Sequence, residues 1–202
     1  TLGKVIVTSG PTIEAIDDVK VITNKSSGKQ GRAIAVELSS RGYETIYIHS
    51  SQILPIPGIQ NVAFTSSSEL LLKINENIVN CEYLFMTAAV SDFTTEKESG
   101  KISRDSGNIQ LNLIPNIDLI KTIKDTNEDV VTVAFSAQIN DDLNFDKIKR
   151  KNSDYLVINN ILKNNFGSDL NKIKIINKKE LIYESNEKSK SDIAYELLDV
   201  LL

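Results

Sequence analysis

Short apolar runs closed by turn residues recur along this chain and alternate with segments of helical period. The runs are "KVIVTSG" (4–10), "YETIYIHS" (43–50), "NVAFTS" (61–66), "YLFMTAAV" (83–90), "VVTVAFSAQ" (130–138) and "DYLVINN" (154–160). Each has strand length, and its apolar residues run together instead of alternating with polar ones, as in strands buried on both faces. Helices are predicted between them over 29–41, 68–79, 116–125 and 141–151. The first carries the apolar stripe Ile34, Ala35, Leu38 and stops at Gly42; Ser68 is read as the cap of the second. "KIKIINKK" and "LIYE" predict a closing hairpin, and a last helix fills 188–201. This order predicts one α/β domain over 1–202: a Rossmann-like three-layer fold with a mostly parallel sheet, helices on both faces and a C-terminal β-hairpin.

In such sheets ligands sit beyond the carboxyl ends of the strands. The turns of interest are therefore 8–12, 87–92, 135–140 and 158–161. One stretch breaks the pattern: "SDFTTEKESGKISRDSGN" (91–108) is polar, charged and without period. It reads as a mobile loop, and long loops in compact domains are often functional. "IQLNLIP" (109–115) is expected to resume as a strand.

Composition removes several function classes. A net charge of −4 gives no general reason to bind nucleic acid or an anionic membrane. No apolar run approaches bilayer-spanning length. Cys81 is the only cysteine, so there is no internal disulfide and no Cys-rich metal site. A cytoplasmic protein is expected, and the start at Thr1 reads as a processed chain or a domain cut from a longer one. His49 is the only histidine and lies at a strand end, so a Ser-His-Asp or Cys-His mechanism would depend on it alone. A structural histidine is the favoured reading. The first strand is followed by "TSGPTIEAIDDV" and not by G-x-G-x-x-G, which argues against a nicotinamide oxidoreductase.

What remains suits phosphate. "SSGKQG" (26–31) places hydroxyls, Lys29 and backbone N–H groups at a helix start. An ordinary helix start with glycine for close packing explains the same residues equally well. "KISR" puts Lys101 and Arg104 on the loop, and Lys147 and Lys151 share one helix face. Asp92 suits Mg²⁺, a ribose hydroxyl or a local backbone cap. Cations with a small-residue turn fit nucleotide activation, which needs mainly positioning and charge neutralisation.

The chain resembles phosphopantothenoylcysteine synthetase over essentially its whole length. The resemblance rests on seven stretches in the family's order: "VTSGPTIEAIDDVKVITNKSSGKQGRAIA", "TAAVSDF", "KISR", "IPNIDLI", "VAFSAQ", "KIKRKNSDYLVINN" and "FGSDLNKIKII". It implies ligation of 4′-phosphopantothenate to L-cysteine in coenzyme A biosynthesis, with CTP and Mg²⁺. An acyl-cytidylate is the intermediate, and CMP and pyrophosphate are the products. By that resemblance Asn24 positions the acyl nucleotide and Lys101 neutralises phosphate charge. Gly10, Ser26, Ser27, Gly28, Asp92, Phe135, Lys147 and Lys151 match nucleotide-site positions. Lys20, Asn24, Ala88 and Ala89 match the acid's site, and Mg²⁺ is held mainly by the CTP phosphates. Asn159, Asn160 and Phe166 match a strand-end pair and the aromatic after it.

Four positions depart from the family pattern: Lys20 stands for an Arg, Ser103 for a loop Lys, Gln138 for a Glu and Asn160 for an Asp. The resemblance also implies a homodimer and a flavin-dependent decarboxylase, fused or associated. A catalytically idle nucleotide-binding domain is the competing reading.

Overall fold

The computed structural model describes residues 1–162 and 167–202. Its first strand, β1 (Leu2–Ser9), is followed by a small hairpin, β2 (Ile13–Ala15) with β3 (Val21–Thr23). The helix α1 (Lys29–Ser40) leads to β4 (Tyr43–Ser50), β5 (Gln60–Phe64), α2 (Ser67–Asn77) and β6 (Cys81–Met86). A hairpin arm pairs β7 (Phe93–Thr94) with β8 (Ile114–Pro115) and carries one 3₁₀ turn, Arg104–Ser106. Then come α3 (Leu119–Thr126), β9 (Val131–Gln138), α4 (Phe145–Lys151) and β10 (Tyr155–Asn160). The chain closes with β11 (Leu170–Asn171), β12 (Ile173–Ile176), β13 (Leu181–Glu184), β14 (Lys188–Ser189) and α5 (Lys190–Leu201).

Eight strands form the main sheet in the order β13-β12-β10-β9-β6-β1-β4-β5. The six from β10 to β5 are parallel; β12 and β13 add the antiparallel hairpin. Counted along the chain, the parallel strands lie in the Rossmann order, so the topological switch falls beside β1. Successive β1 residues serve opposite layers. Val5 and Val7 pack with Ile34, Ala35 and Leu38 of α1 and Ile193, Leu197 and Leu198 of α5. Ile6 packs with Leu70 and Ile74 of α2, Ile123 of α3 and Ile148 of α4. Removing each such side chain from water stabilises the fold by about 1.5–3 kcal/mol, which explains why β1 reads as an unbroken apolar run.

Two expectations are corrected. The strand expected over 109–115 is confined to Ile114–Pro115, and the alternating residues before it are exposed. An apolar period of two does not make a strand without a partner edge to pair with. The cap of α2 is Ser66, whose side chain accepts the Glu69 N–H, while Glu69 returns a bond to the Thr65 N–H; Ser68 is already helical. "YLFMTAAV" runs from strand into a small-residue turn as expected: β6 ends at Met86, and Thr87–Val90 form the turn. Phe166 lies outside the described residues.

Candidate active site

The ends of β1 and β6 carry the crevice. Gly10 turns the chain at φ +87°, and its carbonyl accepts the Ala89 N–H at 3.0 Å. The Ala89 carbonyl accepts the Thr12 N–H at 3.1 Å and the Asn24 Nδ2 at 2.6 Å. Thr8 Oγ1 accepts the Ala88 N–H. The two turns are thereby stitched together, with Asn24 tied to the second. Asn24 Oδ1 accepts the Ser26 N–H, an Asx turn that steers the chain into α1.

The start of α1 lies close over β1. Gly28 sits at φ +71° as the residue before the helix and offers no side-chain cap, Ser27 Oγ accepts the Lys29 N–H at 3.4 Å, and the Gly28 carbonyl accepts Ser9 Oγ. A Cβ on Gly31 would overlap Thr87 Oγ1 and stand 2.6 Å from Ser9 Oγ. Glycine is thus required at 31 for contact and at 28 for conformation. No acidic residue occurs in the first turn of α1, so the helix presents its positive end to the crevice without a neutralising carboxylate.

A cavity of about 760 Å³ opens there. Asn24, Ser26, Ser27 and Gly28 line one wall, and Thr87–Asp92 the floor. Phe135, Lys147, Arg150, Lys151 and Asn159 come from the far strands and α4. Lys147 Nζ donates to Ser136 Oγ at 2.7 Å; burial, then the neighbouring Lys151, lowers its pKa. Lys151 Nζ pairs with Asp118 at 3.0 Å, the same aspartate that caps α3 by accepting the Lys121 N–H. At the mouth, Lys29 Nζ pairs with Asp169 at 2.7 Å and donates to the Gly167 carbonyl, and the half-buried Lys190 lies in the same wall. Burial, then Lys29, lowers the pKa of Lys190. Three cations at one end and two at the other, around an amide and small residues, make a container for a multiply phosphorylated ligand.

A model of the DNA/pantothenate metabolism flavoprotein C-terminal domain matches residues 2–202. The chain belongs to that family. A cysteine/cysteine sulfinic acid decarboxylase from an unknown prokaryotic organism is 32% identical over 98% of this chain and 58% of its own length. The coenzyme A biosynthesis bifunctional protein CoaBC of Methanocaldococcus jannaschii is 30% identical over 97% of this chain and 49% of its own. The chain therefore spans about half the length of the curated relatives it matches. The crystal structure of the C-terminal domain of CoaBC superposes with a TM-score of 0.80 at 27% identity, covering 100% of this chain and 96% of that one.

In this flavoprotein C-terminal domain, Asn24, Ser26, Ser27, Gly28, Ala88, Ala89, Asp92, Phe135, Lys147 and Lys151 all line this same cavity. Gly10 stands behind it, shaping the turn. Lys20 and Lys101 do not line it. Lys20 pairs with Asp17 and donates to the Ile102 carbonyl, and Lys101 is exposed on the arm. Gln138 is buried away from the lining: its amide spans Ser136, Asn144 and the Asp142 carbonyl. Asn160 holds Asp141 and the Leu162 N–H.

Asn116 was not singled out from sequence, yet it lines the cavity and locks the arm by donating to Ser67 Oγ and the Ser91 carbonyl. The stretch "IPNIDLI" carried the signal for Asn116 and Asp118. His49 is buried and stacked on Tyr47, and burial pushes the Cys81 thiol up to about 11; neither lines the cavity.

Proposed function

We propose that the chain is the ligase domain that joins 4′-phosphopantothenate to L-cysteine in coenzyme A biosynthesis, with CTP as the activating nucleotide. The observation that carries this reading is the grouping of ten family-matched residues around one cavity at the topological switch point. The pathway named by the M. jannaschii relative supports it.

In the first step an oxygen of the pantothenate carboxylate attacks the CTP α-phosphorus. The bond to the β-phosphate bridge breaks, and pyrophosphate leaves with that electron pair. Lys147 and Lys151, with the start of α1, offset the phosphate charge. Among the described residues no group of three carboxylate, histidine or cysteine side chains could hold a metal ion. Asp118 is engaged by Lys151 and Asp92 is the other carboxylate of the lining. That donor set fits Mg²⁺ carried by phosphate oxygens, where it would add charge neutralisation.

In the second step the cysteine amine attacks the acyl carbon, CMP leaves with the electron pair of the broken acyl–phosphate bond, and the amine loses a proton. Asn24 is neutral and can hydrogen-bond the acyl or phosphoryl oxygen without repelling it. Ala88 and Ala89 leave room for the acyl group beside it.

A homodimer is part of the proposal. Val19 and Val21 of the small hairpin, and Phe93, Leu113, Ile114 and Ile117 of the arm, are between 44% and 63% exposed. Apolar residues gathered on projecting elements favour a protein partner, and a second copy satisfies both surfaces. Sedimentation of the purified protein tests this; a monomer at all concentrations rejects it.

The deciding assay mixes protein, 4′-phosphopantothenate, cysteine, Mg²⁺ and either CTP or ATP, and follows pyrophosphate and nucleoside monophosphate. CMP release that requires both acid and cysteine is expected. AMP in its place retains the ligase and overturns the nucleotide. Binding of CTP without turnover favours the idle domain.

A further inference from the structure

Lys101 is carried on the polar arm, where loose backbone is expected from composition. The arm is instead pinned on both sides of this one residue. The Gly100 N–H donates to Asp18 Oδ2 at 2.9 Å, and the Gly100 carbonyl accepts the Asp18 N–H at 2.9 Å. The Ile102 N–H donates to Asp17 Oδ2 at 2.9 Å, and the Ile102 carbonyl accepts Lys20 Nζ at 3.1 Å. Two residues before Gly100 the Glu98 N–H donates to the Ile16 carbonyl at 2.8 Å. The bonded residues are 98, 100 and 102, Gly100 turns the chain at φ +76°, and Lys101 between the two anchors is exposed.

Asp17 is the hub. Its side chain has no exposure, and it accepts the Val19, Lys20 and Ile102 N–H groups as well as pairing with Lys20 Nζ. These donors hold its carboxyl well below the usual carboxylate range. The turn it builds joins β2 to β3, and β3 ends at Thr23, directly before Asn24.

We infer that Asp17 and Asp18 are positioning residues that fix the backbone on both sides of Lys101 and couple it to the hairpin bearing Asn24. The inference rests on the ligase reading for its catalytic consequence, but the clasp itself is a physical claim about Gly100 and Ile102. Fixing backbone costs conformational entropy, and the clasp meets that cost before substrate arrives. Lys20 also acquires a role that does not require it to touch substrate.

The test compares Asp17→Asn and Asp18→Ala with the wild type by amide hydrogen exchange and by pyrophosphate-release kinetics. Asp18 is half-exposed at the surface, so its substitution leaves the core intact even if Asp17→Asn fails to fold. Exchange at Gly100 is expected to accelerate at least tenfold in Asp18→Ala, and at Ile102 in Asp17→Asn, with strand β1 unchanged. In both variants kcat for pyrophosphate release should fall at least tenfold, with the KM for cysteine within twofold of wild type. Unchanged exchange at Gly100 in Asp18→Ala overturns the clasp. Faster exchange with unchanged kcat overturns the positioning role. A wild type that releases no pyrophosphate rejects the ligase reading and with it the positioning role, while the exchange data still decide the clasp.

Discussion

Asn24 and Ala89 are joined across the crevice by a 2.6 Å hydrogen bond from the Asn24 amide to the Ala89 carbonyl. The bond ties the hairpin that follows β1 to the turn that follows β6, and it fixes which end of the amide is the donor. Asn24 Oδ1 is simultaneously held by the Ser26 N–H. The amide is therefore oriented before any ligand arrives.

Asn24→Asp places an oxygen against the Ala89 carbonyl, where a donor stood. Acyl-nucleotide formation is expected to persist, and conversion to product to fall by about 10²–10³, the cost of removing one preorganised donor. Single-turnover quenching that resolves intermediate from product checks this. Product formed at the wild-type rate would remove Asn24 from its assigned role.

Gly31→Ala tests how closely α1 must approach β1. The added methyl meets Thr87 Oγ1 and Ser9 Oγ; Ser9, at the end of β1, cannot retreat without breaking its bond to the Gly28 carbonyl, nor Thr87 without breaking its bond to the Thr8 carbonyl. Overpacking of this kind costs about 1–3 kcal/mol, and each kcal/mol lowers Tm by about 2–4 °C at this chain length. Thermal unfolding measures the loss. Nucleotide affinity should drop in parallel, because the start of α1 is displaced from the cavity.

The sheet was legible because its strands are buried on both faces and therefore read as apolar runs, as in β1, β4 and β9. The turns beyond them were legible for the same reason: a run that stops at Ser9 or Gln138 has a defined carboxyl end. The strand expected over 109–115 failed because alternation reports a two-faced environment only where a neighbouring strand exists. Side-chain partnerships distant in sequence left no trace in it. Lys29 with Asp169, and Asp17 with the Ile102 N–H, are set by topology alone. Lys101 showed as a loop cation suited to phosphate and Lys20 only as a match to the acid's site, but the sequence could not show that Lys20 is spent on Asp17. Asn116 was hidden because an asparagine after a proline reads as an ordinary turn.

Lys147 carries a pH signature. Burial, then Lys151, lowers its pKa, so the charged form is disfavoured in the fold relative to the unfolded chain. Stability from this group is lowest below the depressed pKa and rises as pH climbs from there toward the ordinary lysine value. A polyanionic nucleotide reverses the shift, so binding in alkaline buffer should take up protons. Calorimetry in two buffers of different ionisation enthalpy reads that uptake. Lys147→Met should abolish it and weaken nucleotide binding at least tenfold, about 1.4 kcal/mol, with the unliganded Tm unchanged or raised.

Gln138→Glu restores the residue type that the family resemblance leads one to expect, and it should harm this protein. Gln138 Nε2 donates to the Asp142 carbonyl at 2.9 Å, inside the turn that leads to α4. A carboxylate there loses the donor and faces a carbonyl oxygen, a loss of about 1–3 kcal/mol. Denaturant unfolding checks it. An unchanged midpoint would mean that the turn rearranges without cost.

Asp169→Asn should strengthen anion binding without changing stability. The Lys29–Asp169 pair is exposed, and such solvent-screened pairs contribute little to stability. Lys29 holds the Asp169 carboxyl below its ordinary pKa, so what the pair does contribute is present above that ordinary value and is lost as pH falls through the depressed one. At neutral pH the aspartate competes with any phosphate for Lys29. Removing its charge frees the ammonium and subtracts one negative charge from the cavity mouth. Pyrophosphate affinity, measured by calorimetry at low salt, should rise about two- to fivefold, and the gain should shrink as salt screens it. An affinity that falls instead would mean that Asp169 orients Lys29 for the ligand and does not compete with it.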